Sequence, residues 1–356
     1  MRGRGAVLAG ALVAAIAVPA SASAATKTVQ AGPFGGAQAQ FQQSFGDANE
    51  FFRRTVTIHR GDRVRWNIFG FHTVTFVPRG DAPPGLIVPD PATPVADVRD
   101  AAGQLFWFNG QPSLRPNPLV ALPQGSRTHD PGELANSGLP LGAGAPPPYT
   151  LKFPRTGSFR YLCIVHPGME GTVKVVKPNR AIPSARKDRR VANRQLGRTL
   201  RAVKRLTTGA GLTLDKTMQA GNDRRSGATI FRYFPAQPAY KVGDTVTLQM
   251  PPRTTEVHTF TFGPSNGQDA YNDQLAAGLL GEVFDPRGAY PSEPPPAVSS
   301  YTGTNHGNGF WNSGILDGDA ATPLPASTQV TFTAPGSFAL ICLIHPFMTS
   351  TVTVTP

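Results

Sequence analysis

The chain has 356 residues, enough for two domains, and its 38 Gly and 36 Pro leave little room for helix. Its formal net charge is +12, yet ten Lys or Arg against one acid, Asp188, put +9 of that in 179–212 alone. So local an excess argues against nucleic acid as a partner.

Residues 1–24 read as a secretory signal peptide. Arg2 and Arg4 make the charged start, Ala6 to Ala20 the apolar run, and Ala22-Ser23-Ala24 the small-residue cleavage site. The run is shorter than the roughly 20 apolar residues of a membrane anchor. The arginines are not adjacent, which argues against a twin-arginine route, and no cysteine follows the run to carry a lipid. The mature protein is therefore expected to be exported, outside the cytoplasm, with no transmembrane segment after signal removal.

Beyond the signal the chain repeats itself. Lys27-Thr28-Val29-Gln30-Ala31-Gly32 returns as Lys216-Thr217-Met218-Gln219-Ala220-Gly221, and Gly157-Ser158-Phe159 as Gly336-Ser337-Phe338. Thr and Val runs of period two, bounded by Gly and Pro, predict short strands throughout. The expected organisation is all-β: two β-sandwich domains at 25–178 and 213–356, joined by a short basic linker at 179–212. Within the linker Ala192, Leu196, Leu200, Val203 and Leu206 recur at spacings of three and four, which predicts an amphipathic helix. Its stripe is expected to pack on a domain with the charges solvated; contact with an anionic surface or an acidic partner is the functional alternative. Two long proline-rich segments, roughly 77–148 and 263–325, carry matching features: Phe106-Trp107-Phe108-Asn109 against Phe310-Trp311-Asn312, and Asn136-Ser137-Gly138 against Asn312-Ser313-Gly314. They read either as lids over a functional face or as loops pinned down by their aromatics.

Tyr161 to Met169, YLCIVHPGM, and Leu340 to Met348, LICLIHPFM, hold the densest chemistry. Each has a thiol, an imidazole and a thioether spaced Cys-x-x-His-x-x-Met: Cys163, His166 and Met169, then Cys342, His345 and Met348. A second histidine heads an alternating stretch upstream of each, His72 in HTVTF and His258 in HTFTF. Two His, one Cys and a weak Met form the donor set of a blue-copper centre. Structural zinc is usually held by four Cys or His and does not choose Met. A disulfide between Cys163 and Cys342, the only cysteines, would have to join equivalent positions of two repeated units.

On these residues the chain resembles a tandem pair of cupredoxin domains, the blue (type 1) copper family that includes plastocyanin. In its short Cys-x-x-His-x-x-Met loop it is most similar to amicyanin. The resemblance implies two Greek-key sandwiches and two type 1 coppers per chain, with His72, Cys163, His166 and Met169 as one ligand set and His258, Cys342, His345 and Met348 as the other. It implies single-electron transfer to a redox partner protein rather than catalysis. The upstream histidines stand 91 and 84 residues before their cysteines, about twice the usual gap, so each domain carries an insertion. Copper oxidases and nitrite reductases are the enzyme alternative, but they need further histidines beside the Cys, where Leu162, Ile164, Ile341 and Leu343 stand. Only His59, His129 and His306 remain of seven. A copper scavenger or chaperone is the other alternative, and with five Met in all the chain lacks the exposed Met- or Cys-rich donors it would use. Glu170, directly after Met169, predicts a lower potential for the first centre than for the second, with Arg160 offsetting part of its charge.

Overall fold

The computed structural model describes residues 24–356 except 142, 143, 145, 210, 211, 213, 225, 226, 253, 265–268, 280, 296, 297 and 321. All of the expected signal peptide but Ala24 lies outside the described residues. Among those described, no helix is long and apolar enough to cross a membrane.

Strands form where the period-two pattern can bury alternate side chains. Val56 and Ile58 of Thr55–His59, Val64 and Trp66 of Arg63–Ile68, and Val173 and Val175 of Glu170–Val176 turn into one core. Val246 and Leu248 of Thr245–Gln249, Val330 and Phe332 of Ser327–Phe332, and Val352 and Val354 of Thr349–Thr355 do the same in a second.

In the first half one sheet runs Tyr149–Lys152, Arg63–Ile68, Thr26–Ala31, Phe51–Phe52. The other runs Thr55–His59, Glu170–Val176, Gly157–Leu162, Thr75–Phe76, Ala135–Asn136. The chain changes sheet after almost every strand, as Greek-key sandwiches do. The second half repeats the plan. Ser299–Tyr301, Ser327–Phe332, Thr245–Gln249, Thr217–Asp223 and Ala228–Phe234 make one sheet; Ala239–Lys241, Thr349–Thr355, Gly336–Ile341, Thr261–Phe262 and Trp311–Asn312 make the other. The former gains a sixth strand from the first half: Gly46–Ala48 pairs antiparallel with Ala228–Ile230 at its edge.

The linker holds a helix, Ala185–Leu206, capped by Ser184, whose hydroxyl accepts from the Lys187 N–H. Ala192, Leu196, Val203 and Leu206 bury against Phe41 and Phe52 on one side and Ile230 and Phe234 on the other, so the stripe fills the seam between the halves. The Lys and Arg of this helix are exposed. Asp188 pairs with Lys27 at 2.8 Å and with Arg53. The buried Glu50 accepts from Thr199 Oγ1 at 2.8 Å and Gln195 Nε2 at 3.2 Å, and pairs with Arg54 Nε at 2.8 Å.

The long insertions pack on each other. Phe106, Phe108, Leu279 and Phe310 share a cluster that takes in Ile341 and Leu343, the neighbours of Cys342. Trp107 Nε1 donates to the Pro291 carbonyl at 2.9 Å, and the Tyr290 hydroxyl to the Pro112 carbonyl at 2.7 Å. The aromatics thus pin one insertion to the other, while Trp311 also ties the second insertion to its own sandwich.

Candidate metal centres

Two strands and one loop build each centre. Gly157–Leu162 ends just before Cys163, and Glu170–Val176 begins just after Met169. The turn between closes on itself: the Cys163 N–H donates to the Met169 carbonyl at 2.9 Å, and the Met169 N–H to the His166 carbonyl at 3.1 Å. Cys342, His345 and Met348 repeat the turn, with the corresponding bonds at 3.0 and 2.7 Å. A tight loop of this kind carries thiol and imidazole together at one end of the sandwich. His72 and His258 reach them from just before Thr75–Phe76 and Thr261–Phe262.

The predicted donors come together. His72 Nδ1 lies 2.9 Å from His166 Nδ1, and His166 Nδ1 lies 3.4 Å from Cys163 Sγ. In the second half His258 Nδ1 and His345 Nδ1 are 3.1 Å apart and stand 3.6 and 3.7 Å from Cys342 Sγ. A point equidistant from those last three atoms lies about 2.0 Å from each, the length of a first-row metal bond to imidazole nitrogen. The donor atoms converge on a space one ion fills, and thiolate with two imidazoles is the set that selects copper. Both cysteines are free and sit in separate cores, so they form no disulfide. Met169 and Met348 are buried in the same cores.

Burial alone would hold both thiols protonated. For Cys163 the imidazoles of His166 and His72 outweigh burial and hold the thiol well below its ordinary range; His258 and His345 do so for Cys342. Each sulfur also accepts a backbone N–H, from Thr73 at 3.3 Å and from Thr259 at 3.4 Å. Both influences favour the thiolate, the form that metal binding requires.

Residues around the donors explain repeats whose purpose the sequence did not disclose. Thr73 Oγ1 accepts from the Ile164 N–H at 2.9 Å and meets Thr75 Oγ1 at 3.2 Å, and Thr75 donates to Asn136 Oδ1 at 2.9 Å. Thr259, Thr261, Asn312 and Leu343 repeat that chain at 2.9, 3.1 and 2.8 Å. The twice-written Asn-Ser-Gly thus braces the strand behind each upstream histidine. Gly32 and Gly221, which close the repeated Lys-Thr-x-Gln-Ala-Gly, have positive φ and lie against those histidines. A Cβ would come within 2.8 Å of His72 Nε2 and 2.7 Å of His258 Nε2.

The other histidines stay apart from both centres. His59 Nε2 contacts the Arg180 carbonyl at 2.8 Å. His129 is buried among Phe76, Phe153 and Phe159, and burial lowers its pKa to about 4. His306 Nδ1 lies 3.2 Å from Asp100, and its Nε2 lies 3.2 Å from Glu293 at an angle too poor for a directed hydrogen bond. Burial lowers its pKa, but the two carboxylates outweigh that and raise it.

No family model matches the chain, and no curated protein matches it. Among solved structures it is similar to auracyanin B, with 16% identity over 39% of this chain and 87% of that one at a TM-score of 0.25. An oxidised mutant of amicyanin gives 22% identity over 35% of this chain and 72% of that one, at a TM-score of 0.18. Oxidised plastocyanin from Dryopteris crassirhizoma gives 16% over 39% and 99%, at a TM-score of 0.21.

Proposed function

We propose that this two-domain, cupredoxin-like chain is an exported one-electron carrier with a type 1 copper in each half. The observation that carries the reading is the double convergence of two imidazole Nδ1 atoms on a buried thiolate. Copper held by such a set supplies a one-electron couple. His72, Cys163 and His166 would hold one ion and His258, Cys342 and His345 the other, with Met169 and Met348 as further weak donors. Rigid sandwich strands fix the imidazoles, Thr73 and Thr259 donate to the sulfurs, and the apolar cores keep water out. A site so held needs little rearrangement when its charge changes by one.

The alternatives are less well supported. A scavenger or chaperone needs donors that exchange metal, yet His72, Cys163, His258 and Cys342 are all at most 3% exposed. An oxidase or nitrite reductase needs a second class of copper, and His59, His129 and His306 are each engaged elsewhere. The partner is another redox protein. The exposed basic face of the helix Ala185–Leu206 suits an acidic partner or an anionic surface. Export rests on the signal-like residues 1–24.

Metal analysis and the visible spectrum of the purified protein test the reading. Two coppers per chain and intense orange-to-red absorption are expected. A colourless protein, or one that takes up zinc in preference, overturns it.

A further inference from the structure

His166 and His345 turn Nδ1 to their own donor sets, which leaves each Nε2 facing outward from its centre. Both outward nitrogens meet the same carboxylate. His166 Nε2 lies 3.1 Å from Glu256 Oε1, and His345 Nε2 lies 3.6 Å from Glu256 Oε2. Glu256 is 7% exposed, with His166 at 5% and His345 at 14%, so the contact is shut away between the halves. Asn49 of the first half holds it there, donating Nδ2 to Glu256 Oε1 at 2.8 Å and to Thr255 Oγ1 at 2.9 Å. The Asn49 N–H is itself tied to the Gly227 carbonyl at 2.7 Å. Glu256 stands two residues before His258; two residues before His72 the first half has Gly70.

We infer that Glu256 is a positioning residue common to both centres, through which the charge of one is felt at the other. The inference rests on the copper reading above. An ionised carboxylate only accepts, so each imidazole must keep its proton on Nε2 and offer its Nδ1 lone pair to the metal. One carboxylate therefore sets the tautomer of a ligand in each half. Oxidation of either centre passes one electron to an external one-electron acceptor, moves no proton, and adds one unit of positive charge. That charge polarises the ring and strengthens the attraction between its Nε2–H edge and the Glu256 carboxylate. The carboxylate drawn toward the first centre oxidised has less to offer the second. Each centre is then harder to oxidise when its neighbour is already oxidised.

Redox titration of wild type, Cys163→Ser and Cys342→Ser, each with and without Glu256→Gln, tests this. Gln keeps the shape and removes the charge, so both potentials should rise, that of the Cys163 centre more because its contact is shorter. The gap between potentials measured with and without a neighbouring centre should shrink as they rise. Unchanged potentials, or a shift at one centre only, overturn the inference. If Glu256→Gln does not accumulate as folded protein, nitrogen-15 NMR of Ag(I)-loaded wild type decides. A slowly exchanging Nε2–H is expected on both His166 and His345, and rapid exchange at either overturns the proposal. A colourless copper-treated wild type that still shows both protected protons would sink the copper reading and leave the shared carboxylate standing.

Discussion

Cys163 and Cys342 each serve one centre only, since the donor atoms of the two sets belong to separate cores. Cys163→Ser and Cys342→Ser should therefore each remove about half of the visible absorption; complete loss from either change would falsify two equivalent centres. The difference in potential expected from Glu170 finds a different carrier. Arg160 Nη2 pairs with Glu170 at 2.6 Å on the surface, where solvent and its partner mute its charge. Glu256 is buried and nearer His166 than His345, so it favours the oxidised state more at the first centre. The same order follows, the Cys342 centre higher. His129 makes a separate prediction. Its folded pKa of about 4 lies below its unfolded value of roughly 6.5, so the neutral ring favours folding above pH 6.5. That contribution, on the order of 3 kcal/mol, is lost as pH falls from about 6.5 to 4. Denaturant titrations should show His129→Phe with a flatter stability profile across that window than wild type. At this scale the clustered His and Cys donors were legible because they are written twice in one spacing. Glu256 was not, since it occurs once and acquires meaning only when the halves meet.

The helix Ala185–Leu206 shows what periodicity captures and what it passes over. Its apolar stripe and solvated arginines follow from the spacing of three and four. Hidden in that spacing were Gln195 and Thr199, polar residues on the buried face that look like breaks in the stripe until Glu50 is placed opposite them. Glu50→Ala should cost about 2 kcal/mol in chemical denaturation, because it leaves two buried donors and Arg54 without their acceptor. A loss under 0.5 kcal/mol would mean that apolar contacts alone seat the helix. The nine cations outside should give salt-sensitive retention on vesicles rich in anionic lipid. Replacing Arg189, Arg190 and Arg194 with Glu should abolish it without shifting the visible spectrum. In the insertions the paired aromatics were visible in the sequence, but their partners were not. Phe106 and Phe310 read as equivalent loops of separate domains, and only the fold shows that each is the other's core.

Two sandwiches were readable from the repeat; their interlocking was not. Gly46–Ala48, a three-residue strand of the first half, completes a sheet of the second, and no hydrophobic pattern so short specifies its partner. With the helix filling one seam and the insertions another, neither half can lose its structure without uncovering apolar surface on its neighbour. Heating the whole protein should give one cooperative transition, detected alike by far-ultraviolet dichroism and by the visible band. Two resolved transitions would show that the halves are independent.

The unlike pair Gly70 and Glu256 also bears on symmetry. Two identical subunits meeting about a twofold axis must present the same residue at both positions, hence two carboxylates or none. Two would repel at close quarters with only one pair of imidazoles to share, and one of them would have to take a proton. None would leave both rings without an acceptor. A single carboxylate facing the outward nitrogens of two equivalent imidazoles is open only to a chain whose halves are covalently joined and free to diverge. Joining the two sandwiches therefore does more than hold them together: it permits one shared acceptor where a symmetric assembly allows only pairs.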